Sequence, residues 1–247
     1  MLETQDLTIR FGGHVAVDRV SCTFQPGTLT AIVGPNGAGK TTYFNLISGQ
    51  LPASGGRVLL NGEDLTSLSA PQRTRRGLGR AFQLTQLFPH LTVLENVRLA
   101  VQARCGMGLR LFSVWLQHRA LIDESMALLD RVRLSARAGD LAASLPHGDQ
   151  RKLEVALLMA LQPKVYLFDE PTAGMSVDEV PVVLDLIRDL KREGKHTILL
   201  VEHKMDVVRE LADRIVVLHQ GALVADGEPL SVMASAVVRD AYLGLAV

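Results

Sequence analysis

A glycine-rich loop that joins an apolar strand to a helical segment constrains the fold of this chain most strongly. Residues Gly34–Thr41 read GPNGAGKT, a complete match to the pattern GxxxxGK followed by Ser or Thr, and the apolar run Leu29–Val33 precedes them. We predict a strand over this run and a helix that extends from the loop to about Gly49. Glycines in such a loop let successive backbone N–H groups surround phosphate oxygens. The sequence therefore predicts a phosphate-binding loop.

Two side chains of this loop are expected to add further contacts to a bound nucleotide. The Lys40 ammonium brings a positive charge to the β- and γ-phosphates, and the Thr41 hydroxyl binds Mg²⁺. Backbone N–H groups across residues 36–42 are expected to point at phosphate oxygens. The predicted nucleotide-binding residues of the loop are Asn36, Gly37, Ala38, Gly39, Lys40, Thr41 and Thr42.

The charge balance and the composition exclude several classes of protein. The 247 residues include 26 Lys and Arg against 26 Asp and Glu, and aromatic residues make up only 4 %. A neutral chain lacks the basic surface of proteins that hold nucleic acid through its phosphates, so no nucleic-acid partner is expected. Cys22 and Cys105 lie far apart, which excludes a disulfide scaffold and suits a reducing cytosol. We expect no secretory signal. We also expect no membrane-spanning helix, because no apolar stretch approaches the ~18 residues that such a helix needs.

Short apolar segments alternate with helical ones in the last third of the chain. The predicted order is helix 148–161, strand 165–169, helix 177–192, strand 196–201, helix 204–212 and strand 214–219. Such alternation is typical of a parallel sheet with helices on its faces. The first third reads as strands, because Leu7, Ile9 and Phe11 alternate with polar residues. The pair Asn61–Gly62 is typical of a tight hairpin.

Helical periodicity separates these two parts, between Leu84 and Ser144. Apolar residues recur there at spacings of three or four, as they do at Leu91, Leu94 and Val97. We therefore predict an α/β core over 1–83 and 151–247, with a helical insert at about 84–150, within one domain over 1–247.

A second motif, a buried strand that ends in two carboxylates, points to hydrolysis. The apolar run Val165–Phe168 is followed by Asp169 and Glu170. In the presence of a phosphate-binding loop, Asp169 is expected to reach the shell of Mg²⁺, through water. Glu170 is expected to orient and polarise the attacking water, as a general base.

Three weaker features follow in a fixed order. Gln83 follows the short strand Gly79–Phe82, and His203 follows the strand Thr197–Val201. The segment Leu145–Gln150, which reads LPHGDQ, heads a helix between the two motifs above. The loop and the carboxylates alone are also compatible with kinases and helicases. A small-molecule kinase leaves LPHGDQ and His203 without a role.

Taken together, these residues resemble the ATP-binding subunit of an ABC transporter over essentially the whole chain. The resemblance implies an α/β P-loop NTPase core of the ABC ATPase type, with an N-terminal antiparallel β part and a helical insert that carries the signature. It implies that Phe11 stacks on adenine with help from Val17, although periodicity alone is equally compatible with a core position for Phe11. It further implies that Gln83 senses Mg²⁺ and water and that His203 contacts the γ-phosphate.

A finer resemblance is to importers of branched-chain and other hydrophobic amino acids. It rests on Phe11–Gly13, Arg80–Gln83, Gly148–Glu154, Ala173–Met175 and Ala241–Gly244. ATP-binding subunits of urea and short-chain amide importers are very similar and stay an alternative. A soluble ABC ATPase of DNA repair or chromosome maintenance would need a long coiled coil or a basic surface, and the sequence has neither.

The resemblance also implies partners and a location. The partners are a second ATP-binding subunit, two transmembrane permease subunits and, indirectly, a periplasmic solute-binding protein. The chain is expected at the cytoplasmic face of the inner membrane, as a peripheral subunit.

In this family a segment called the signature reaches the ATP that is bound by the other subunit, and the chain departs from the family pattern in that segment. Its residues here are Leu145, Pro146, His147, Gly148 and Asp149. Pro146 has neither a hydroxyl nor an N–H group, so two possible phosphate donors are missing, and Asp149 adds a carboxylate. We therefore expect a different ATP-binding subunit, with a more regular signature, as the partner.

Four arginines lie close together in the sequence: Arg73, Arg75, Arg76 and Arg80. On a neutral chain we interpret them as a solvated face or as contacts to a neighbouring subunit, and not as a site for nucleic acid or anionic lipid.

Overall fold

The strands form two sheets in the computed structural model, which describes residues 1–81, 87–106, 119–235 and Val238. The strands are β1 (Leu2–Phe11), β2 (His14–Phe24), β3 (Leu29–Val33), β4 (Gly55–Leu60), β5 (Glu63–Asp64), β6 (Leu78–Ala81), β7 (Val165–Asp169), β8 (Thr197–Val201), β9 (Arg214–His219) and β10 (Ala222–Gly227). The α-helices are α1 (Lys40–Ser48), α2 (Ala70–Arg75), α3 (Val93–Arg104), α4 (Arg119–Arg131), α5 (His147–Ala160), α6 (Val180–Arg192), α7 (Met205–Leu211) and α8 (Pro229–Ala234).

The larger sheet brings the predicted motifs to one edge. Its strand order is β10-β9-β3-β8-β7-β6, and β3 pairs in parallel with both β8 and β9, while β7 pairs in parallel with β8. The carboxyl ends of these strands therefore lie at the same edge. The loop from Gly34 follows β3, Glu170 follows β7, and His203 lies two residues beyond the end of β8. The topology thus brings together motifs that are far apart in sequence.

The smaller sheet is antiparallel, with the order β2-β1-β4-β5. Strands β4 and β5 are joined by Asn61 and Gly62, whose φ angles are 52° and 81°. Two consecutive positive φ angles are the requirement of the tight hairpin turn that Asn-Gly favours. The predicted hairpin and the predicted N-terminal antiparallel part are confirmed.

Contacts between residues divide the chain into two units. The first comprises the described residues of Met1–Arg80, Lys164–Glu170 and Lys191–Val247, and the second those of Ala81–Pro163 and Pro171–Leu190. The predicted insert at about 84–150 falls within the range of the second unit. The division of one domain into core and insert stays a prediction.

In the first unit, apolar residues of the larger sheet belong to two buried clusters. Ile32 belongs to a cluster with Phe44 and Leu199, whereas its neighbours Ala31 and Val33 belong to a cluster with β9 and α7. Successive side chains of a strand point to opposite faces, so the mostly apolar sequence of β3, in which all five residues are buried, reflects burial on both faces.

In the second unit, α3, α4 and α5 pack on one another. Helix α3 begins with a capping box in which Thr92 Oγ1 accepts from the Glu95 backbone N–H at 3.2 Å and the Glu95 carboxylate accepts from the Thr92 backbone N–H at 2.8 Å. Helix α4 lies in the region of predicted helical periodicity, and its buried residues Leu121, Ser125 and Leu128 recur at spacings of four and three. Within the described ranges, no helix has both the length and the apolar character needed to cross a bilayer.

The sequence predicted some elements better than others. Strands β3 and β7 have the predicted bounds, and α1 ends at Ser48 with Gly49 as its C-cap. Helix α6 begins at Val180, three residues later than predicted, because turns occupy the preceding residues. Helices α2 and α8 have only six residues each, and β10 is half-buried along most of its length, so none of them carries a clear period.

Candidate functional site

The loop between β3 and α1 has a backbone that only glycine can adopt at two positions. Gly39 has a φ of 96°, and a Cβ there would collide with the backbone oxygen of Ala16. Gly34 has a φ of 151°, and a Cβ there would collide with the backbone oxygen of Leu218. The glycines of the motif therefore serve close backbone packing, as well as the positive φ angles.

A cavity of about 560 Å³ opens at this loop. Its lining residues are Phe11, His14, Ala16, Asn36, Gly37, Ala38, Gly39, Lys40, Thr41, Thr42, Glu170 and His203. Every predicted nucleotide-binding residue of the loop lines it. Phe11 is 50 % exposed, which excludes the core position that periodicity left open for this ring.

The structure corrects the expectation for Val17. This side chain is fully buried in the core cluster and does not line the cavity, whereas the preceding Ala16 does. Along β2, Val17 is fully buried, whereas the flanking Ala16 and Asp18 are only half-buried. His14 lines the cavity next to Phe11, although the sequence did not single it out.

The Lys40 side chain lies folded against its own loop. Its Nζ donates to the backbone oxygens of Gly34 at 2.7 Å and Pro35 at 2.9 Å. Burial lowers the pKa of the Lys40 ammonium from its ordinary value, while the carboxylates of Glu170 and Asp169 act in the opposite direction. The Lys40 ammonium thus lies among carbonyl oxygens, with the two carboxylates nearby.

Glu170 and His203 form a hydrogen-bonded pair at the edge of the cavity. His203 Nε2 lies 2.8 Å from Glu170 Oε1, and both residues line the cavity. Glu170 has a φ of 48°, unusual for a residue with a side chain, and its N–H donates to the Val201 oxygen of β8. Such a backbone conformation directs the carboxylate away from the strand path and is common at functional sites.

The turn that carries His203 is held by a buried carboxylate that the sequence analysis did not identify. Glu202 is 4 % exposed, and its Oε2 accepts from the backbone N–H groups of His203 at 2.7 Å and Lys204 at 3.2 Å. These two hydrogen bonds fix the backbone of His203 relative to the end of β8.

Asp169 is fully buried and forms an ion pair with Arg80. Arg80 Nη2 donates to Asp169 Oδ2 at 2.7 Å, and the side chains are 6 % and 0 % exposed. Burial lowers the pKa of the Arg80 guanidinium, and the Asp169 carboxylate acts in the opposite direction.

The interpretation of the four arginines as a surface cluster is wrong for two of them. Arg80 belongs to the site, and Arg73 is 2 % exposed and donates to the backbone oxygens of Leu46 and Ile47, at the end of α1. Only Arg75 and Arg76 are exposed. The short spacing in sequence could not predict this difference, because the partners of Arg73 and Arg80 lie in other segments of the chain.

The signature segment belongs to the second unit, where α5 begins at His147 with Pro146 as its N-cap. Pro146 and His147 are exposed, while Leu145 and Gly148 are buried. Asp149 lies in the first turn, where its carboxylate interacts favourably with the helix dipole.

Two cations neutralise this unusual acidic residue of the signature. Lys152 Nζ donates to Asp149 Oδ1 at 2.8 Å, and Arg137 Nε lies 3.5 Å from Asp149 Oδ2. The carboxylate is therefore paired within its own unit.

Gln83 lies outside the residues that the structure describes, as do Phe82 and Ala241–Gly244. The roles predicted for Gln83 stay predictions. In the described ranges, His, Cys, Asp and Glu do not gather in any group of three or more that could hold a metal by themselves.

The chain is similar to known proteins over nearly its whole length. Residues 17–173 match the family described as ABC transporter. The high-affinity branched-chain amino acid transport ATP-binding protein LivG of Escherichia coli K12 is 38 % identical over 99 % of this chain and 98 % of its own. The protein BraF of Pseudomonas aeruginosa, which has the same descriptive name, is 36 % identical over 99 % and 98 %.

Solved structures give the same result for the fold. A nucleotide-free ATP-binding cassette from an ABC transporter has a TM-score of 0.83 and 27 % identity, and the match covers 98 % of each chain. The ADP conformation of another ATP-binding cassette has a TM-score of 0.83 and 29 % identity, over 99 % of this chain and 98 % of that one. The predicted α/β fold of the ATP-binding cassette type is confirmed.

Proposed function

Because this chain belongs to the ABC transporter family of ATP-binding proteins, we propose that it is the motor subunit of an importer for branched-chain or other hydrophobic amino acids. The observation that carries the proposal is the cavity in which the phosphate-binding loop, Phe11 and the Glu170–His203 pair meet. The chain is an ATPase of this family. What we propose is which residues bind and hydrolyse ATP and which solute is transported.

Phe11 and the loop divide the recognition of ATP between them. The half-exposed ring of Phe11 offers an aromatic face to adenine, and such stacking contributes about 1–3 kcal/mol per base. Asn36–Thr42 surround the phosphates, and Lys40 turns from the carbonyls of its loop to the β- and γ-phosphates.

The residues present fit a bound Mg²⁺. Thr41 and Asp169 supply a hydroxyl and a carboxylate, and Mg²⁺ prefers such hard oxygen donors. A site with few protein ligands is usual where phosphates and water complete the shell. When bound, the ion neutralises negative charge on the phosphates.

Hydrolysis is assigned to Glu170. Its carboxylate accepts a proton from the attacking water, and the hydrogen bond to His203 Nε2 holds it in place. His203, which also lines the cavity, is proposed to contact the γ-phosphate. Gln83 is proposed to contact the ion and the water from the segment that follows β6.

The signature and its partners complete the motor. We infer that Leu145–Asp149 face the ATP of a second ATP-binding subunit, and that this partner is a different chain. The missing donors at Pro146 support this inference. Sizing of the isolated chain by light scattering is expected to give a monomer, with a turnover that rises on addition of the partner. High turnover independent of concentration would contradict shared sites.

Two permease subunits and a periplasmic solute-binding protein would complete the importer, with this chain peripheral at the cytoplasmic face of the inner membrane. The solute class is inferred from LivG and BraF, which are named as branched-chain amino acid transport proteins. Their similarity over nearly all of both chains supports the same class here, ahead of urea or short-chain amides.

The test uses the tagged chain purified with its membrane partners and reconstituted into liposomes with the solute-binding protein. Leucine is expected to stimulate ATP hydrolysis, and urea and acetamide are not. If urea or acetamide stimulates ATP hydrolysis and leucine does not, the proposed class of solute is wrong. Recovery of the tagged chain with DNA, and without membrane partners, would contradict the importer. A complex with Lys40→Ala serves as the control for hydrolysis by other ATPases.

A further inference from the structure

Of the four arginines that lie close together in the sequence, Arg80 is the one whose side chain contacts Asp169. We propose that Arg80 is a positioning residue for ATP hydrolysis, which holds the Asp169 carboxylate in register with helix α1 for the binding of Mg²⁺. This inference rests on the proposed function and deepens it.

The guanidinium joins two different parts of the first unit. On one side, Nη2 donates to Asp169 Oδ2 at 2.7 Å, at the end of β7. On the other side, Nη1 donates to Asn45 Oδ1 at 2.7 Å and to Ser48 Oγ at 2.8 Å. The cation also lies over the ring of Phe44, 5.7 Å from its centroid.

The contacts on α1 place this bridge on the helix that carries the other proposed Mg²⁺ ligand. Thr41 lies in the first turn of α1, and Asn45 follows it by four residues, on the same helix face. Ser48 follows Asn45 by three residues and continues that face. One planar group therefore links the carboxylate of β7 to the helix that presents Thr41.

Burial makes this link more demanding than a surface ion pair. Both side chains are almost inaccessible to water, so a carboxylate without its cation would be strongly destabilised and would rearrange. Arginine suits the position because its rigid fork directs several donors at once, whereas lysine offers a single ammonium on a flexible stem. Arg80→Lys is therefore expected to keep the charge but lose part of the geometry.

The experiment measures how much Mg²⁺ increases the affinity of the full-length chain for a fluorescent ATP analogue. Affinity is titrated with Mg²⁺ present and with chelator. Substitution of a residue that hydrogen-bonds to a metal ligand typically changes metal affinity about 10- to 100-fold. Arg80→Gln is expected to lower the Mg²⁺-dependent gain by about tenfold or more, while the affinity in chelator stays within about twofold. The Mg²⁺-dependent gain of Arg80→Lys is expected to lie between those of the wild type and Arg80→Gln.

Arg73→Lys is the matched control, because Arg73 is also a buried arginine that contacts α1, but through backbone oxygens. It is expected to lower stability and to leave the Mg²⁺-dependent gain unchanged. All variants are compared at a temperature at which circular dichroism shows them folded. If Arg80→Gln does not fold, Arg80→Lys alone decides the matter by its Mg²⁺-dependent gain.

A double-mutant cycle with Asp169→Asn tests whether Arg80 acts through this carboxylate. The double variant is expected to bind Mg-ATP no more weakly than Asp169→Asn alone, because the group that Arg80 holds is already altered. Additive losses would contradict positioning, as would an unchanged or larger Mg²⁺-dependent gain in Arg80→Gln. If the wild-type chain itself gains no affinity from Mg²⁺, the proposed function fails, and not only the role of Arg80.

Discussion

Substitution of Arg73 tests whether a buried arginine supports the end of α1. Its Nη1 donates to the backbone oxygens of Leu46 and Ile47, each at 2.7 Å, in the last turn, where carbonyls have few partners within the helix; the Leu46 oxygen also accepts from the Gly49 N–H at 3.3 Å. Its Nη2 and Nε donate to the backbone oxygens of Thr66 at 2.8 Å and Leu68 at 3.0 Å. Arg73→Leu removes all of these hydrogen bonds together with the charge.

The two hydrogen bonds to the last turn of α1 decide the magnitude, because they are buried and water cannot replace them. A hydrogen bond from a charged donor contributes about 1.5–3 kcal/mol, so the free energy of unfolding is expected to fall by about 3–6 kcal/mol. For a chain of this size Tm falls by roughly 2–4 °C per kcal/mol, which corresponds to a decrease of about 6–24 °C.

Urea denaturation followed by circular dichroism measures this loss. Arg75→Leu is the matched control, since Arg75 lies on the same short helix but is exposed, and its substitution is expected to change stability by no more than about 0.5 kcal/mol. A loss below about 1 kcal/mol for Arg73→Leu, or equal losses for both variants, would refute the reasoning and favour a surface role for this arginine.

Three further changes test the site. Phe11→Ala should weaken ATP binding by about 1–3 kcal/mol and leave the denaturation midpoint unchanged, because the ring is half-exposed; a large loss of stability would instead indicate a core role. Lys40→Ala should weaken ATP binding at least tenfold in a fluorescent-analogue titration, since it deletes a charge at the phosphates; unchanged affinity would exclude this loop as the nucleotide site. Gly148→Asp should destabilise the second unit modestly, because the new side chain must displace the Glu179 carboxyl group and places a second negative charge beside it; a variant as stable as wild type would contradict that packing.

The sequence predicted those parts of the site that depend on local pattern and on strand order. The loop after β3, the carboxylates after β7 and His203 after β8 each follow an apolar strand, and parallel pairing brings such positions to one edge. No long-range contact had to be known in advance for this prediction. The glycine-rich loop also predicted α1, which ends at Ser48, close to the predicted end at about Gly49.

Features that depend on tertiary contacts or on strand register were not predictable. The Arg80–Asp169 pair joins residues 89 positions apart, and nothing near Arg80 in the sequence indicates that Asp169 is its partner. The choice between Ala16 and Val17 at the cavity depends on the register of β2, where a shift of one residue exchanges the two faces.

The most direct test of the account compares ATP turnover and ATP affinity in the Glu170→Gln complex. The amide keeps the shape of the side chain but cannot accept a proton, so turnover should fall by about 10²- to 10⁴-fold while ATP affinity is retained. Glu228→Gln, at an exposed position outside the cavity, is the control and should leave both quantities unchanged. Turnover near the wild-type value in Glu170→Gln would contradict the assignment of hydrolysis to this cavity.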